Sequence, residues 1–273
     1  ILLFLFLFSG TSLLWGQTLT ISNSGQIGTS GTNWSISGNT LTATGDASVH
    51  PGVIENALNK NLLVQVVGNG GKLIIDAPIR SNHNSLLTFK AQSNIQVSAP
   101  IQLAGGEIYL SVANNAMALG SICVDSDISV ALASGQGGNI LLEAKDITLS
   151  ENAKLLAQGH IGGGNILVGG DWQGGASEEN RVYEDPNKLK QATKVSMHAK
   201  TFIDASATEN GNGGIVVLWS DIKNPTSVTK AHGTIFAKGG SISGDGGMIE
   251  TSGGLLETDE IEISTIQSDG SSG

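Results

Sequence analysis

Apolar residues along this chain come in short runs that alternate with polar positions and are punctuated by Gly, Asn, Ser or Asp. Runs such as LTIS at 19–22, LLVQVV at 62–67, KLIID at 72–76, LLTFKA at 86–91, IQVSA at 95–99 and EIYLSV at 107–112 predict strands. So do DISVAL at 127–132, NILLEA at 139–144, DITLS at 146–150, NILV at 165–168, IVVLW at 215–219 and MIET at 248–251. Ile95, Val97 and Ala99 share one face while Gln96 and Ser98 share the other, which predicts one buried and one wet side. One stretch breaks the pattern. PGVIENALNKN at 51–61 places Val53, Ile54, Ala57 and Leu58 at helical spacing and predicts one or two helical turns capping the first strands.

The strands repeat as units. Doubled glycines precede them at Gly70-Gly71, Gly105-Gly106, Gly137-Gly138, Gly163-Gly164, Gly213-Gly214 and Gly246-Gly247, at intervals of 35, 32, 26, 50 and 33 residues, a fairly regular spacing whose long interval contains ASEENRVYEDPNKLKQATK at 176–194. Phrases recur as well: IIDAPI at 74–79 is echoed by VSAPI at 97–101 and FIDASA at 202–207, and GGNILLEA at 137–144 by GGNILVGG at 163–170. Imperfect repetition of this kind predicts a solenoid, and strands this short predict an all-β, parallel β-helix. Inward Val, Ile, Leu and Ala would stack in files, and glycine would supply positive φ at the corners. A β-sandwich is the second choice, disfavoured by the glycine pairs and short strands. At roughly 22 residues per coil the chain would give about ten layers, or on the order of 50 Å of stack. The charged 176–194 segment reads as a surface excursion.

Composition narrows the class. Gly numbers 38 of 273 residues without an every-third-residue period, which excludes collagen and disfavours long helices. Hydrophobic residues at 39% supply a core and argue against disorder. A net charge of −10 repels phosphate backbones, so nucleic acid is not an expected partner. The single Cys123 forms no internal disulfide and reads as a small core residue.

The opening ILLFLFLFSGTSLLWG at 1–16 reads as a secretory signal that begins without its basic start, with cleavage expected near Gly16-Gln17. The mature domain then spans 17–273, and the closing SDGSSG carries no recognisable cap, so the solenoid is expected to continue past it.

Two sets of blocks carry a family resemblance. VIENALNKNLLVQVVGNGGKLIIDAPI at 53–79 with LLTFKAQSNIQVSAPIQLAGGEIYLSV at 86–112 resembles the early repeats of filamentous-haemagglutinin-like exoproteins. GGDWQGG at 169–175, FIDASATENGNGGIVVLWSD at 202–221, GTIFAKGG at 233–240 and GDGGMIETSGG at 244–254 resemble, in order and spacing, the blocks that follow the secretion domain of those proteins. The resemblance implies a right-handed parallel β-helix, exported through an outer-membrane transporter of a two-partner secretion system and serving at the cell surface as an adhesin shaft. Its expected contacts are a host or environmental surface or a glycan. The Asn-Pro-Asn motifs of the secretion domain are absent; the one Asn-Pro pair is Asn224-Pro225, far downstream.

Chemical motifs are sparse. Asp125 and Asp127, two apart, would share a strand face as an acid/base or calcium pair, but further oxygen ligands are missing and a solvated edge is the simpler reading. Asp76 and Asp204 fall at the same place in their phrases and suggest a repeated corner. His50, His83, His160, His198 and His232 are scattered, so no metal or other cofactor is expected, and the glycine turns lack a Gly-Lys-Ser/Thr ending. An enzymatic role is not expected. The rival readings are a polysaccharide-active β-helix enzyme, which needs a carboxylate cluster, and a haem-utilisation exoprotein, which needs a convergent His or Tyr pair. Among aromatic residues, Trp219 alternates with Val217 and Ile215 and reads as inward, whereas Trp172 in a glycine turn and Tyr183 on the charged excursion are the candidate contact surface.

Overall fold

The computed structural model describes residues 16–113, 120–179, 181–184 and 189–266. The signal-like run, all but its last residue, lies outside them, as do Pro186 of the excursion and the SDGSSG end.

Three parallel sheets of nine, seven and ten strands run the length of the molecule, and the chain winds through them in coils: a parallel β-helix. A representative coil passes through Leu86–Ala91 in the ten-stranded sheet, Asn94–Val97 in the nine-stranded sheet and Ile101–Leu103 in the seven-stranded sheet. The next lays Glu107–Val112, Ser121–Val124 and Asp127–Ser129 on them in register. Register keeps each inward position above its equivalent, so the core is built of files. Leu73, Ile95, Ile122, Ile147 and Val195 form one in the nine-stranded sheet, and Ile79, Ile101, Ile128, Leu155, Ile203 and Ile235 form one in the seven-stranded sheet. All these side chains are buried in one continuous cluster.

Among the described residues seven coils carry all three strands, fewer than the ten layers expected. The expectation took the shortest coils as the rule, whereas loops and the excursion lengthen several of them.

The first turns are irregular. Thr18–Gln26 inserts into the nine-stranded sheet between Ala47–Val49 and Lys72–Ile75, so chain order and spatial order differ there. Trp34–Ser37 pairs antiparallel with Thr40–Ala43 on one side and with Ser30–Gly31 on the other, which closes that end of the ten-stranded sheet. Where the seven-stranded sheet would begin stands the predicted helix, α1 (Pro51–Ala57), its first turn capped by His50 Nδ1 accepting from Gly52 N at 3.1 Å. Its Pro51, Val53 and Ile54 are buried, and Glu55 Oε1 accepts from the backbone N–H of Arg80 at 2.8 Å, satisfying an edge strand that has no neighbour on that side.

The earlier doubled glycines meet the expectation, with Gly70, Gly105 and Gly106 at φ of 72°, 75° and 75°, but the later pairs serve a different purpose. Gly137, Gly138, Gly163, Gly164, Gly213, Gly214, Gly246 and Gly247 all have ordinary φ. Instead their backbones stack in contact: a Cβ on Gly164 would lie 1.9 Å from the Gly138 carbonyl oxygen, and one on Gly214 would lie 1.8 Å from that of Gly164. Any side chain there would pry successive coils apart.

Three further readings change. Cys123 points outward and is half-exposed, because Ile122 and Val124 take the inward positions of its strand. Asp76 follows a strand of the nine-stranded sheet, whereas Asp204 ends one of the seven-stranded sheet, so their shared phrase marks different corners. Asp125 and Asp127 flank a corner and do not share a strand.

Candidate functional site

The ten-stranded sheet is apolar on both faces over its later coils. Ile140, Leu142, Ile166, Val168, Val216 and Leu218 point into the core, and between them Leu141, Leu167 and Val217 form an outward file that Tyr109 begins. Outward aliphatic residues need a cover. The excursion supplies it. Leu189 is buried against the file, and Trp172, Val182 and Tyr183 pack on it while remaining half-exposed. Tyr109 and Tyr183 meet with ring centroids 6.0 Å apart at 54°.

Trp219 is buried in this same outer cluster, which corrects its inward reading: it alternates with Val216 and Leu218, and those fill the core. Its Nε1 donates to Gln191 Oε1 at 3.0 Å, and Gln191 Nε2 donates to the Gly174 carbonyl at 3.2 Å. A Cβ on Gly170 would come within 2.5 Å of the Trp219 ring, so glycine there makes room for the indole.

Two buried carboxylates pin the cover. Asp171 accepts backbone N–H groups of Trp172 at 2.7 Å, Val182 at 2.9 Å and Tyr183 at 3.0 Å, fixing both candidate contact residues through their main chain. Glu143, on the outer face of the sheet, accepts from the Tyr109 hydroxyl at 2.9 Å, from Ser111 Oγ at 3.2 Å and from Lys190 N at 3.2 Å. Burial, and then the nearby Glu143 carboxylate, push the Tyr109 phenol well above its ordinary value, so it stays a hydrogen-bond donor at any physiological pH. Arg181 is largely buried and pairs with Glu178 at 2.9 Å. Trp172 and Tyr183 therefore lie together on a pinned, partly exposed aromatic surface. The continuous apolar runs Ile140–Leu142, Ile166–Val168 and Val216–Trp219 are the sequence signal for this outer cluster, since a strand wet on one side would alternate.

The remaining chemical candidates disperse. Asp125 accepts from Ser150 Oγ and from Asn152 Nδ2, and these bonds hold its carboxyl below the ordinary range. His198 and His232 occupy the same corner in successive coils, because Met197 registers with Ala231, and they line one groove of about 560 Å³. His198 Nδ1 accepts from Lys200 N and His232 Nδ1 meets the Asp259 carbonyl, so both rings are engaged. His160 lies 3.6 Å from Glu209. Among the described residues no group of three or more His, Cys, Asp or Glu side chains gathers where it could hold a metal.

No family model matches the chain, and no curated protein matches it. Among solved structures it is similar to the HMW1 secretion domain from Haemophilus influenzae, at 21% identity and a TM-score of 0.43. The likeness covers 74% of this chain and 64% of that one.

Proposed function

We propose that this chain is a non-catalytic segment of an exported bacterial surface adhesin, a stiff shaft that carries contact residues away from the cell. The observation that supports this reading most is the uninterrupted core: among the described residues, aliphatic files pass in register from coil to coil and join them into one continuous stack. The resemblance of the 53–112 and 169–254 blocks to filamentous-haemagglutinin-like exoproteins supports the same reading, with an outer-membrane transporter of a two-partner system as the export partner. Weak contacts repeated along a rigid stack bind strongly because the second contact is already at high effective concentration. The aromatic surface of Trp172 and Tyr183 is the proposed contact, with a cell, an abiotic surface or a glycan as its counterpart.

The test is attachment of beads coated with the chain to cell monolayers and glycan-coated surfaces, compared with the Trp172→Ala/Tyr183→Ala double variant. Attachment that falls at least several-fold in the variant supports the reading; equal attachment removes these two residues from it. Beads that never attach, together with release of reducing sugar ends from acidic polysaccharides, would replace the adhesin reading with an enzymatic one.

A further inference from the structure

At the start of the ten-stranded sheet, beside the stacked glycines, the surface opens into a cleft of about 540 Å³. Its walls are Asn84, Ser85, Glu107, Gln136, Asn139 and Asn165, together with glycine backbone. The coil register brings three of these residues into line, since Glu107 pairs with Asn139 and Asn139 with Asn165. Asn165 Nδ2 donates to Asn139 Oδ1 at 3.0 Å, and Asn139 Nδ2 donates to Glu107 Oε2 at 3.2 Å. The result is a directed ladder of planar amides ending on a carboxyl. Each amide carries two donors and two acceptor sites, so one bond in each direction leaves capacity facing the cleft.

Two observations mark the cleft as a place for a ligand. Ser85 is 7% exposed, and its hydroxyl is buried with no hydrogen-bond partner among the described residues. An unpaired buried hydroxyl is a standing cost that a ligand's own hydroxyl would remove. Glu107 is the second: its half-buried carboxyl ends the amide ladder, one oxygen taken by Asn139 Nδ2 at 3.2 Å and the other left to a ligand hydroxyl, and burial lifts the carboxyl above its ordinary value.

Charge selects the ligand class. No lysine, arginine or histidine lines the cleft among the described residues, and the chain carries a net charge of −10, so phosphates, sialic acids and uronates are repelled. A calcium ion would want several carboxylate oxygens, and the cleft offers one carboxyl. Amides, a hydroxyl and a carboxyl in one open cleft match a ligand made of vicinal hydroxyls. We infer that the cleft walled by Ser85, Glu107, Gln136, Asn139 and Asn165 binds an uncharged oligosaccharide. The inference rests on the adhesin reading for its biological use, and it names a glycan site separate from Trp172 and Tyr183.

The experiment presents the purified chain to an array bearing lactose, chitotriose, mannotriose and maltotriose beside sialyllactose and trigalacturonate, and then titrates the best neutral sugar by calorimetry. Saturable binding of at least one neutral sugar is expected, about tenfold weaker in Asn139→Ala and in Ser85→Ala. Ser85→Ala removes an unpaired buried group, so its melting midpoint should be equal to or above that of the wild type, and its loss of binding then cannot come from unfolding. Preference for the anionic sugars, a blank array, or affinities unchanged in both variants would overturn the inference. Beads that adhere while the array is blank reject the cleft and leave the adhesin reading standing; beads that fail while the variants weaken sugar binding do the reverse.

Discussion

Single residues in this molecule matter according to how closely one coil approaches the next. Gly164 and Gly162 are near neighbours with opposite expectations. A methyl on Gly164 would meet backbone oxygen at 1.9 Å, and backbone cannot rotate away, so Gly164→Ala should cost at least about 2–3 kcal/mol, the upper range for overpacking. A methyl on Gly162 would find nothing nearer than the Gln136 side chain at 3.5 Å, in a conformation open to L-residues. Gly162→Ala should be neutral or stabilise by up to about 1 kcal/mol through the unfolded chain. Urea midpoints of the two variants check this, and equal destabilisation would deny the close stacking. Titration at Glu107 gives a second expectation. Burial raises its carboxyl above the ordinary 4.5, so the folded state holds the proton more tightly than the unfolded one. Stability therefore falls as pH rises from the unfolded value through the higher folded one. Glu107→Gln, which keeps an oxygen for Asn139, should gain on the wild type at pH 7 and lose that gain near pH 4; a pH-independent difference would show that the charge is not the cause.

Whole elements stand or fall by whether their outer face is covered. Asp171→Ala would release three backbone N–H groups at once, and a loss of about 2 kcal/mol of local stability corresponds to roughly thirtyfold more frequent opening of the excursion. Limited proteolysis should then cut within 172–184 well before the coils unfold, with dye binding to the bared Leu141, Leu167 and Val217; cleavage no faster than in the wild type would mean that the apolar contacts alone hold the cover. This role was only half legible beforehand. Charge and Pro186 mark the excursion as an insertion, but the reason it lies down on the sheet sits in apolar runs whose period shows only that they are strands. Strands of the ten-stranded sheet from Leu62–Val66 onward are readable because four to six residues suffice to show a period, as in Glu107–Val112, whereas the nine-stranded sheet is readable only in part, with Ser121–Val124, Lys194–Met197 and Val228–Ala231 among the strands not predicted. The seven-stranded sheet was largely missed: Ile79–Ser81, Ile101–Leu103 and Lys154–Leu156 are three residues each and contribute one or two inward side chains, too few for alternation to register. Trp172 and Tyr183 were named from composition around them, and their shared surface follows from Asp171, an isolated acid that nothing in the pattern singled out. The Asn139–Asn165 ladder did leave a trace in the repeated GGN phrase, whereas Ser85 left none, since an unpaired hydroxyl is a property of packing.

Across the whole molecule, stability should vary along the axis and differ between the two ends. In a one-dimensional stack each interior coil has two neighbours and an end coil one, so local free energy accumulates toward the middle. At one end the antiparallel hairpin Trp34–Ala43 and α1 close the stack, with Trp34, Ile54 and Leu58 buried and Glu55 bonded to the first strand of the seven-stranded sheet. The last described coil, Met248–Ser252, Leu255–Glu257 and Ile261–Ser264, has no such closure among the described residues: Leu255, Leu256 and Ile263 are about half-exposed. Amides of Ile140–Glu143 and Asp146–Leu149 should therefore exchange at least about a hundredfold more slowly than those of Met248–Ser252 and Ile261–Ser264, while the Thr40–Ala43 strand, though also near an end, should be protected almost as well as the middle. Replacing Leu256 and Ile263 by Asn should cost no more than about 1–2 kcal/mol by urea midpoint, because half of each side chain already lies in solvent, and should reduce self-association seen by light scattering. Uniform protection along the axis, or a large loss of stability in the Asn variant, would mean that the exposed coil is itself covered in solution, and the asymmetry argued from burial would not hold.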